Sequence, residues 1–551
     1  MEIALMDKKV QNLSGLWEFV FLPAPAQFFC VKELVFNSFA PVPGCFDLLN
    51  EYFLKRGTGV YRRKVEIGGW IALTLEGVGI RGKVFWDGEL IGEIDCAFSQ
   101  RTFRFDAGKN GSHELIIAVN NEFDDTPSSL FQRNYDFYAH GGIYRKVTIK
   151  EINEFDLEYL KVLPLDPTAG TVEVELKLWG NTENCQDAVV FFDSAGDGEK
   201  CRLNDGGFSR VMQVPAPRLW SPEHPELHKI KIDINGTVFE SESGLRSIEV
   251  RSGEIFLNNK KLFLAGVNRH DTHPDFGYAV PESIQIQDIL MLKAAGFNCI
   301  RGSHYPQSND FLSLCDRIGM LVWEETLAWG NIESTLTDEL FQKCQVREAE
   351  LMALKSFNHP SVIMWGFLNE CNSSLLAARP LISSLVETLH RVDRSRPVTY
   401  ACNRLFIDCC LDLVDIVSFN TYPGWYGDCQ DQFFNAEVVR DMLAKLEEFA
   451  TQKYKDKALL ISEIGAEAML GLRGGQRWSE DYQADLQEFV MKYVMESPRY
   501  SGALLWQYCD MRTYISNNSQ MRATGFNFKG LVSGQRQPKE AWRKVSALLK
   551  K

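Results

Sequence analysis

Ser361-Val-Ile-Met-Trp-Gly-Phe-Leu368 runs for eight residues without a charge and then meets Asn369-Glu370. An unbroken apolar run of this length is what a strand buried on both faces shows. Similar strands are read at Leu262–Val267, Asn298–Arg301, Met320–Glu324, Val398–Ala401, Ile416–Asn420, Leu459–Glu463 and Ala503–Tyr508. Helical patterns fill most of the gaps, at Ile284–Ala295, Asp338–Phe357, Leu375–Val392, Ala436–Gln452 and Glu480–Met495. Eight strands separated mostly by helices, over about 300 residues, predict a (β/α)8 TIM barrel over 249–551. No Gly-x-Gly-x-x-Gly follows the first strand, which argues against a dinucleotide fold.

Upstream the rhythm is different. Alternating runs at Gly59–Ile67, Trp70–Glu76, Lys83–Trp86 and His113–Asn120 are broken by turn signals such as Asp87-Gly88 and Asn110-Gly111. Residues 1–151 therefore read as a β-sandwich. Residues 152–248 read as a second one, of immunoglobulin-like size, with Thr171–Leu178 alternating as a strand with one wet face. The fold class is multidomain β and α/β.

Composition narrows the function. The chain has 551 residues, and its 45% hydrophobic and 24% charged content is that of a globular protein, excluding extensive disorder. The net charge of -14 repels polyanions, so neither nucleic acid nor an anionic membrane is expected as a partner. A small anionic ligand would need a local cluster of cations. Asp7, Lys8 and Lys9 interrupt any secretory pattern, and no run of 18 apolar residues occurs. The 14 cysteines form no CxxC framework, which points to reduced thiols and a cytoplasmic protein. His270 and His273 have a His-x-x-His spacing, but no further ligands accompany them, so no metal is expected.

In a barrel, the C-terminal ends of the strands face the site. Glu370 ends the fourth strand. Glu463, after Ala458-Leu-Leu-Ile-Ser462, ends the seventh. Two carboxyls in one mouth suit glycosidic bond cleavage: one protonates the leaving oxygen, and the other attacks the anomeric carbon or activates water. The plainer reading is that each Glu opens a helix and is favoured by its dipole. Finding two at barrel positions weakens it.

Several segments resemble glycoside hydrolase family 2. Asn358-His-Pro-Ser-Val-Ile-Met-Trp-Gly-Phe-Leu-Asn-Glu370 resembles its acid/base segment. Gly266-Val-Asn-Arg-His-Asp271 and Gly302-Ser-His-Tyr-Pro306 resemble its first two barrel strand ends. Leu219-Trp-Ser-Pro-Glu-His-Pro225 resembles its central sandwich, and Asp136 with Gly141-Gly-Ile-Tyr-Arg145 the close of its sugar-binding jelly roll. These matches follow family order along nearly the whole chain.

The resemblance implies a retaining mechanism without cofactor or metal, with Glu370 as acid/base, Glu463 as nucleophile and Asn369 on the sugar 2-hydroxyl. It also implies an exo-β-glucuronidase. Asn527-x-Lys529 after the last strand resembles the motif by which such enzymes hold the sugar carboxylate, with Arg522 nearby. Arg522 stands one residue further from Asn527 than the pattern, which leaves its role open. Asn420-Thr-Tyr422-Pro-Gly-Trp425-Tyr426 resembles the segment carrying a tyrosine that orients the nucleophile. His304 and Asp136 are implied sugar-hydroxyl contacts, and Trp506 a platform for the ring. The rival readings are an exo-β-galacturonidase or dual-specificity enzyme, then a β-galactosidase, then an inactive carbohydrate-binding protein. Family precedent implies a homo-oligomer. Thr326–Thr337 is short where some relatives carry a long loop, which predicts an open mouth.

Overall fold

The structure is a computed structural model that describes residues 10–25, 30–193, 197–426, 431–517 and 520–550. Alternation dictates its first layers. Leu115, Ile117 and Val119 of strand Gly111–Asn120 turn inward beside Tyr61 and Val65 of strand Gly57–Ile67. These strands belong to a six-stranded antiparallel sheet, and a four-stranded sheet including Trp70–Leu75 and Val147–Glu151 contributes to the same core. Strands Arg81–Trp86 and Glu89–Ile94 are joined through Asp87 and Gly88, at φ 49° and 83°. That pair of positive φ values is the tight hairpin turn that Asp-Gly favours.

A second pair of antiparallel sheets spans Phe155–Asp166 to Thr237–Ser243. Val172, Val174, Leu176 and Leu178 are all buried in its core, as the alternation requires.

The barrel follows. Its strands are β1 (Leu264–Asn268), β2 (Cys299–Arg301), β3 (Leu321–Glu325), β4 (Val362–Gly366), β5 (Val398–Thr399 continued by Ala401–Cys402), β6 (Ile416–Asn420), β7 (Ala458–Ile464) and β8 (Tyr500–Leu505). All pair in parallel, and β8 returns to β1. The split in β5 lets its first half pair with β4 and its second with β6, which closes the ring. Helices α1 (Glu282–Ala295), α2 (Asn309–Ile318), α3 (Glu333–Leu336), α4 (Glu339–Ser356), α5 (Arg379–Val392), α6 (Ala436–Lys453), α7 (Glu480–Glu496) and α8 (Glu540–Leu549) complete it.

Two differences from the sequence reading bear on function. The reading omitted α2, although its signals are present. Ser308 accepts the Phe311 N–H at 3.2 Å as N-cap, and Gly319 closes the helix at φ 80°. The eighth strand lies three residues earlier than expected, because Gly502 packs against Leu264, whose carbonyl oxygen would meet a Cβ at 2.3 Å. Trp506 therefore falls just past the strand end, in the mouth. The short 326–337 segment holds the single turn α3, which Gln132 reaches through Thr335 Oγ1 at 3.1 Å. Thirteen cysteines are described and none is in a disulfide; Cys429 lies outside the described residues. No helix among the described residues is long and apolar enough to cross a membrane.

The second sandwich is tied to the barrel immediately before β4. Asn358 Oδ1 accepts the Val162 N–H at 2.9 Å, and its Nδ2 donates to Leu160 O at 2.8 Å. Asn358→Ala removes both partners and is expected to lower stability by about 1–3 kcal/mol. Chemical denaturation should show the loss, with KM little changed because the residue lies below the mouth.

Candidate active site

Charged groups at the ends of buried strands are costly unless paired. Here they pair with one another. Arg301 at the end of β2 is fully buried and stacks over Trp323, its charged carbon 4.7 Å from the ring centre. Its Nε and Nη2 grip Glu325 of β3 at 2.9 and 3.1 Å. Nη1 donates to Glu463 Oε1 at 2.7 Å and to Asn268 Oδ1 at 2.9 Å, and Nη2 reaches Asn369 Oδ1 at 2.8 Å. One guanidinium thus connects the ends of β1, β2, β3, β4 and β7.

Glu463 is held at both oxygens. Tyr422 Oη donates to Oε2 at 2.7 Å, opposite Arg301 on Oε1. Burial raises its pKa, and Arg301 and Tyr422 oppose that rise. Glu370 has a different environment. Among the described residues its carboxylate receives one neutral donor, Asn420 Nδ2 at 2.8 Å. Desolvation first, then the neighbouring Glu463 charge, pushes its pKa up to about 8. The two carboxyls therefore suit different tasks: Glu370 keeps a proton at neutral pH, while Glu463 has a cation and a phenol to support its ionised form. Leu368 and Glu370 adopt φ values of 45° and 53°, left-handed conformations that cost a non-glycine residue. The Glu370 N–H donates to Ala401 O at 2.9 Å, which fixes this turn.

Asn369 is buried, and its Oδ1 accepts from Arg301 and from Asn420 (3.1 Å). Its buried Nδ2 has no protein partner among the described residues. His304 is buried beneath the site. Its Nδ1 lies 2.7 Å from Glu325 Oε1, and a carboxylate partner places the proton on Nδ1. Nε2 lies 3.8 Å from Glu463 Oε1, and the ring stacks on Trp506 at 5.3 Å. Burial and Arg301 hold its pKa well below the usual imidazole range, so it is neutral.

A cavity of about 600 Å³ opens above this network, lined by Asp136, Glu370, Asn420, Tyr422, Tyr426, Glu463, Trp506, Arg522 and Lys529, among others. At one end the predicted cations meet a buried carboxylate. Lys529 Nζ donates to Tyr426 Oη at 2.7 Å and to Glu467 Oε1 at 3.0 Å. Arg522 pairs with Glu467 and with Asp136, whose other oxygen accepts from Thr513 Oγ1 at 3.0 Å. Asn527 Oδ1 holds the Lys529 N–H at 3.1 Å, and its buried Nδ2 has no protein partner among the described residues. The structure therefore gathers all twelve predicted site residues around one cavity or its immediate support.

Three partners escaped the sequence reading. Arg301 ends an apolar barrel strand, so the rule that singled out the two glutamates would have found it; for the third strand the same rule stops at Glu324, one residue short of Glu325. Glu467, four residues past Glu463, carries no such signal. Among the described residues the His270/His273 spacing gathers no ligand set: His270 Nδ1 faces Tyr305 Oη at 3.3 Å, and His273 Nδ1 accepts the Asp275 N–H at 3.2 Å.

A parallel barrel with an acid and a supported carboxylate in one mouth defines a glycoside hydrolase. Comparison narrows the class. Residues 248–551 match the family model described as glycosyl hydrolases family 2, TIM barrel domain, and the chain belongs to that family. Over 507 residues it is 30% identical to a beta-glucuronidase of Streptococcus agalactiae serotype V, spanning 84% of this chain and 82% of that protein. The mouse beta-glucuronidase is 28% identical over 463 residues, 77% of this chain and 69% of its own. The crystal structure of a beta-galacturonidase from Eisenbergiella tayi bound to galacturonate superposes with a TM-score of 0.90 at 30% identity, covering 98% of this chain and 97% of that one.

Three outcomes are expected. Arg301→Lys cannot serve five acceptor positions with one ammonium, so kcat/KM should fall at least about a hundredfold. Because Glu370 must be protonated to act as an acid, kcat/KM should decline as pH rises through about 8. Glu370→Gln, assayed with an activated aryl leaving group, should lose that basic limb.

Proposed function

We propose that the chain is a retaining exo-β-glucuronidase. Glu463 attacks C1 of the sugar while Glu370 gives its proton to the departing glycosidic oxygen. A glycosyl ester on Glu463 results. Water then attacks C1, surrendering a proton to the Glu370 carboxylate, and the free uronic acid leaves with Glu463 regenerated. Asn369 Nδ2 donates to the 2-hydroxyl, Trp506 lies against the ring, and Tyr422 and Arg301 hold the nucleophile. We also assign residues 1–151 as a jelly-roll sugar-binding domain, 152–248 as an immunoglobulin-like sandwich and 249–551 as the catalytic barrel.

The observation that carries the acid-sugar reading is Lys529, an ammonium only 1% exposed that lines the cavity. Two described residues accept from it, Tyr426 and Glu467. An ammonium has three donors, and a sugar carboxylate would take the third. Glu467 balances the buried cation. A neutral hexose would leave this subsite without its anion, which disfavours galactosides. The beta-glucuronidase relatives support the same reading.

A specific observation favours a second reading, β-galacturonide hydrolysis: the Eisenbergiella tayi neighbour was solved with galacturonate. The two acids differ only at C4, where Asp136, tied to Arg522 and Thr513, would read the hydroxyl.

Nitrophenyl β-glucuronide, β-galacturonide and β-galactoside, assayed side by side, should rank with glucuronide first and galactoside last. Turnover of the neutral sugar alone would sink the proposal. Lys529→Ala should reduce kcat/KM for the glucuronide by about a hundredfold or more, the scale expected when a buried charge-assisted contact is lost. Glu463→Ala should abolish turnover; full hydrolysis by that variant would exclude the mechanism.

A further inference from the structure

We propose that Cys45, Asp47 and His140 form a zinc site in the first sandwich, against the barrel and apart from the sugar chemistry. The three residues are 5%, 0% and 2% exposed, and their ligand atoms lie within 4.8 Å of one another. A thiolate, a carboxylate and an imidazole are the side-chain ligands that Zn2+ takes, and sulfur beside nitrogen disfavours Mg2+ and Ca2+. Asp47 and His140 stand 93 residues apart, so no spacing in the chain announces the group. The site does not depend on which sugar the barrel cleaves.

The carboxylate supplies the reason for a cation. Asp47 Oδ1 lies 3.2 Å from His140 Nδ1, while Oδ2 is buried with no hydrogen-bond partner among the described residues. A buried carboxylate oxygen left without a donor is costly. Arg56, whose guanidinium reaches this region, donates instead to the carbonyls of Asn121 and Ala139 and to Tyr514 Oη. Burial first, and then the Asp47 charge, push the Cys45 thiol above its ordinary range. A divalent ion reverses both penalties. The thiol releases its proton to solvent on coordination, and one thiolate with one carboxylate neutralises the ion. His140 contributes the Nδ1 lone pair, with its proton on Nε2. Nitrogen and oxygen ligands of a tetrahedral Zn2+ stand roughly 3.3 Å apart, close to the 3.2 Å between Asp47 and His140. The orphaned Oδ2 offers a fourth donor.

The fold builds the group from two domains' backbones. Cys45 ends the short strand Gly44–Cys45, which pairs with Gly142–Ile143 just past His140. Asp47 follows in the turn Phe46–Leu48, whose first N–H donates to Gly141 O at 2.8 Å. The loop between β1 and α1 covers the group from the barrel side. There Gly277 sits at φ 56°, and a Cβ on it would come within 2.9 Å of Cys45 Sγ and 3.2 Å of His140 Cδ2. Glycine is what lets the backbone approach these two ligands so closely. The next residue, Tyr278, donates its hydroxyl to Tyr138 O, in the segment that joins His140 to Asp136. The ion thus fastens the segment that carries Asp136 to the cavity.

The test uses untagged full-length protein, stripped of metal with a chelator under reducing conditions. It is titrated with Zn2+ in competition with a chromophoric chelator and, separately, with Co2+. The parent should bind one equivalent of Zn2+ tightly and gain Tm with it. Co2+ should give a thiolate-to-metal charge-transfer band. Asp47→Asn and His140→Gln should each weaken Zn2+ binding by at least about a hundredfold, since loss of even an outer partner of a ligand costs about tenfold to a hundredfold. Cys45→Ser should do the same and abolish the Co2+ band. Cys30→Ser, at an exposed cysteine, should change neither readout. Should Cys45→Ser fail to fold, the other two variants and the parent's band still decide. A parent that binds no equivalent overturns the proposal, as does Co2+ bound without the band. So does parental affinity in Asp47→Asn and His140→Gln, which would place the ion on other thiols or imidazoles. None of these readouts involves sugar turnover, so they stand whatever the barrel's substrate.

Discussion

Burying Arg301 forces the rest of the site into place. A guanidinium removed from water must have its donors satisfied, and here the acceptors come from Asn268, Glu325, Asn369 and Glu463. These residues stand at the ends of four different strands and so cannot shift independently. The nucleophile candidate inherits its orientation from this network, with Tyr422 fixing its second oxygen. His304, neutral and wedged between Glu325 and Trp506, connects the same network to the floor of the cavity. A loose arrangement would forfeit the geometry that in-line attack and protonation require.

The two carboxyls show how environment divides labour between chemically identical groups. Burial, and after it the neighbouring Glu463 carboxylate, keep Glu370 protonated near neutrality, with an amide as its donor among the described residues. Glu463 shares its charge with Arg301. The opposite end of the cavity repeats the theme with the signs reversed. Lys529 and Arg522 are tolerated in a buried place because Glu467 and Asp136 accompany them. This local balance resolves the apparent conflict between a net charge of -14 and an anionic substrate. Net charge describes the global field, while a few ångströms of geometry decide whether one carboxylate can bind.

Most of the barrel was legible in the sequence because each strand is buried on both faces and reads as an unbroken apolar run. Glu370 and Glu463 were legible for the same reason: a charge ending such a run marks the mouth. The same rule applies to Arg301 at the end of Asn298-Cys-Ile-Arg301, yet attention to paired carboxyls passed over it. Helix α2 was missed although Ser308 and Gly319 delimit it, because its apolar residues, Phe311, Leu312 and Cys315, make too short a stripe. Glu467 had no signal, since its importance comes from Lys529 and Arg522, both more than fifty residues away in the chain.

By itself the sequence determined the barrel and the strand ends that carry the carboxyls. Those properties follow from local periodicity and composition, which require no knowledge of distant neighbours. The tertiary structure alone decided which carboxyl keeps its proton and what balances the buried cations. Each of these depends on distances between residues remote in sequence. Charge, desolvation and apolar contact act through space, so their outcome appears only when the chain has brought those residues together.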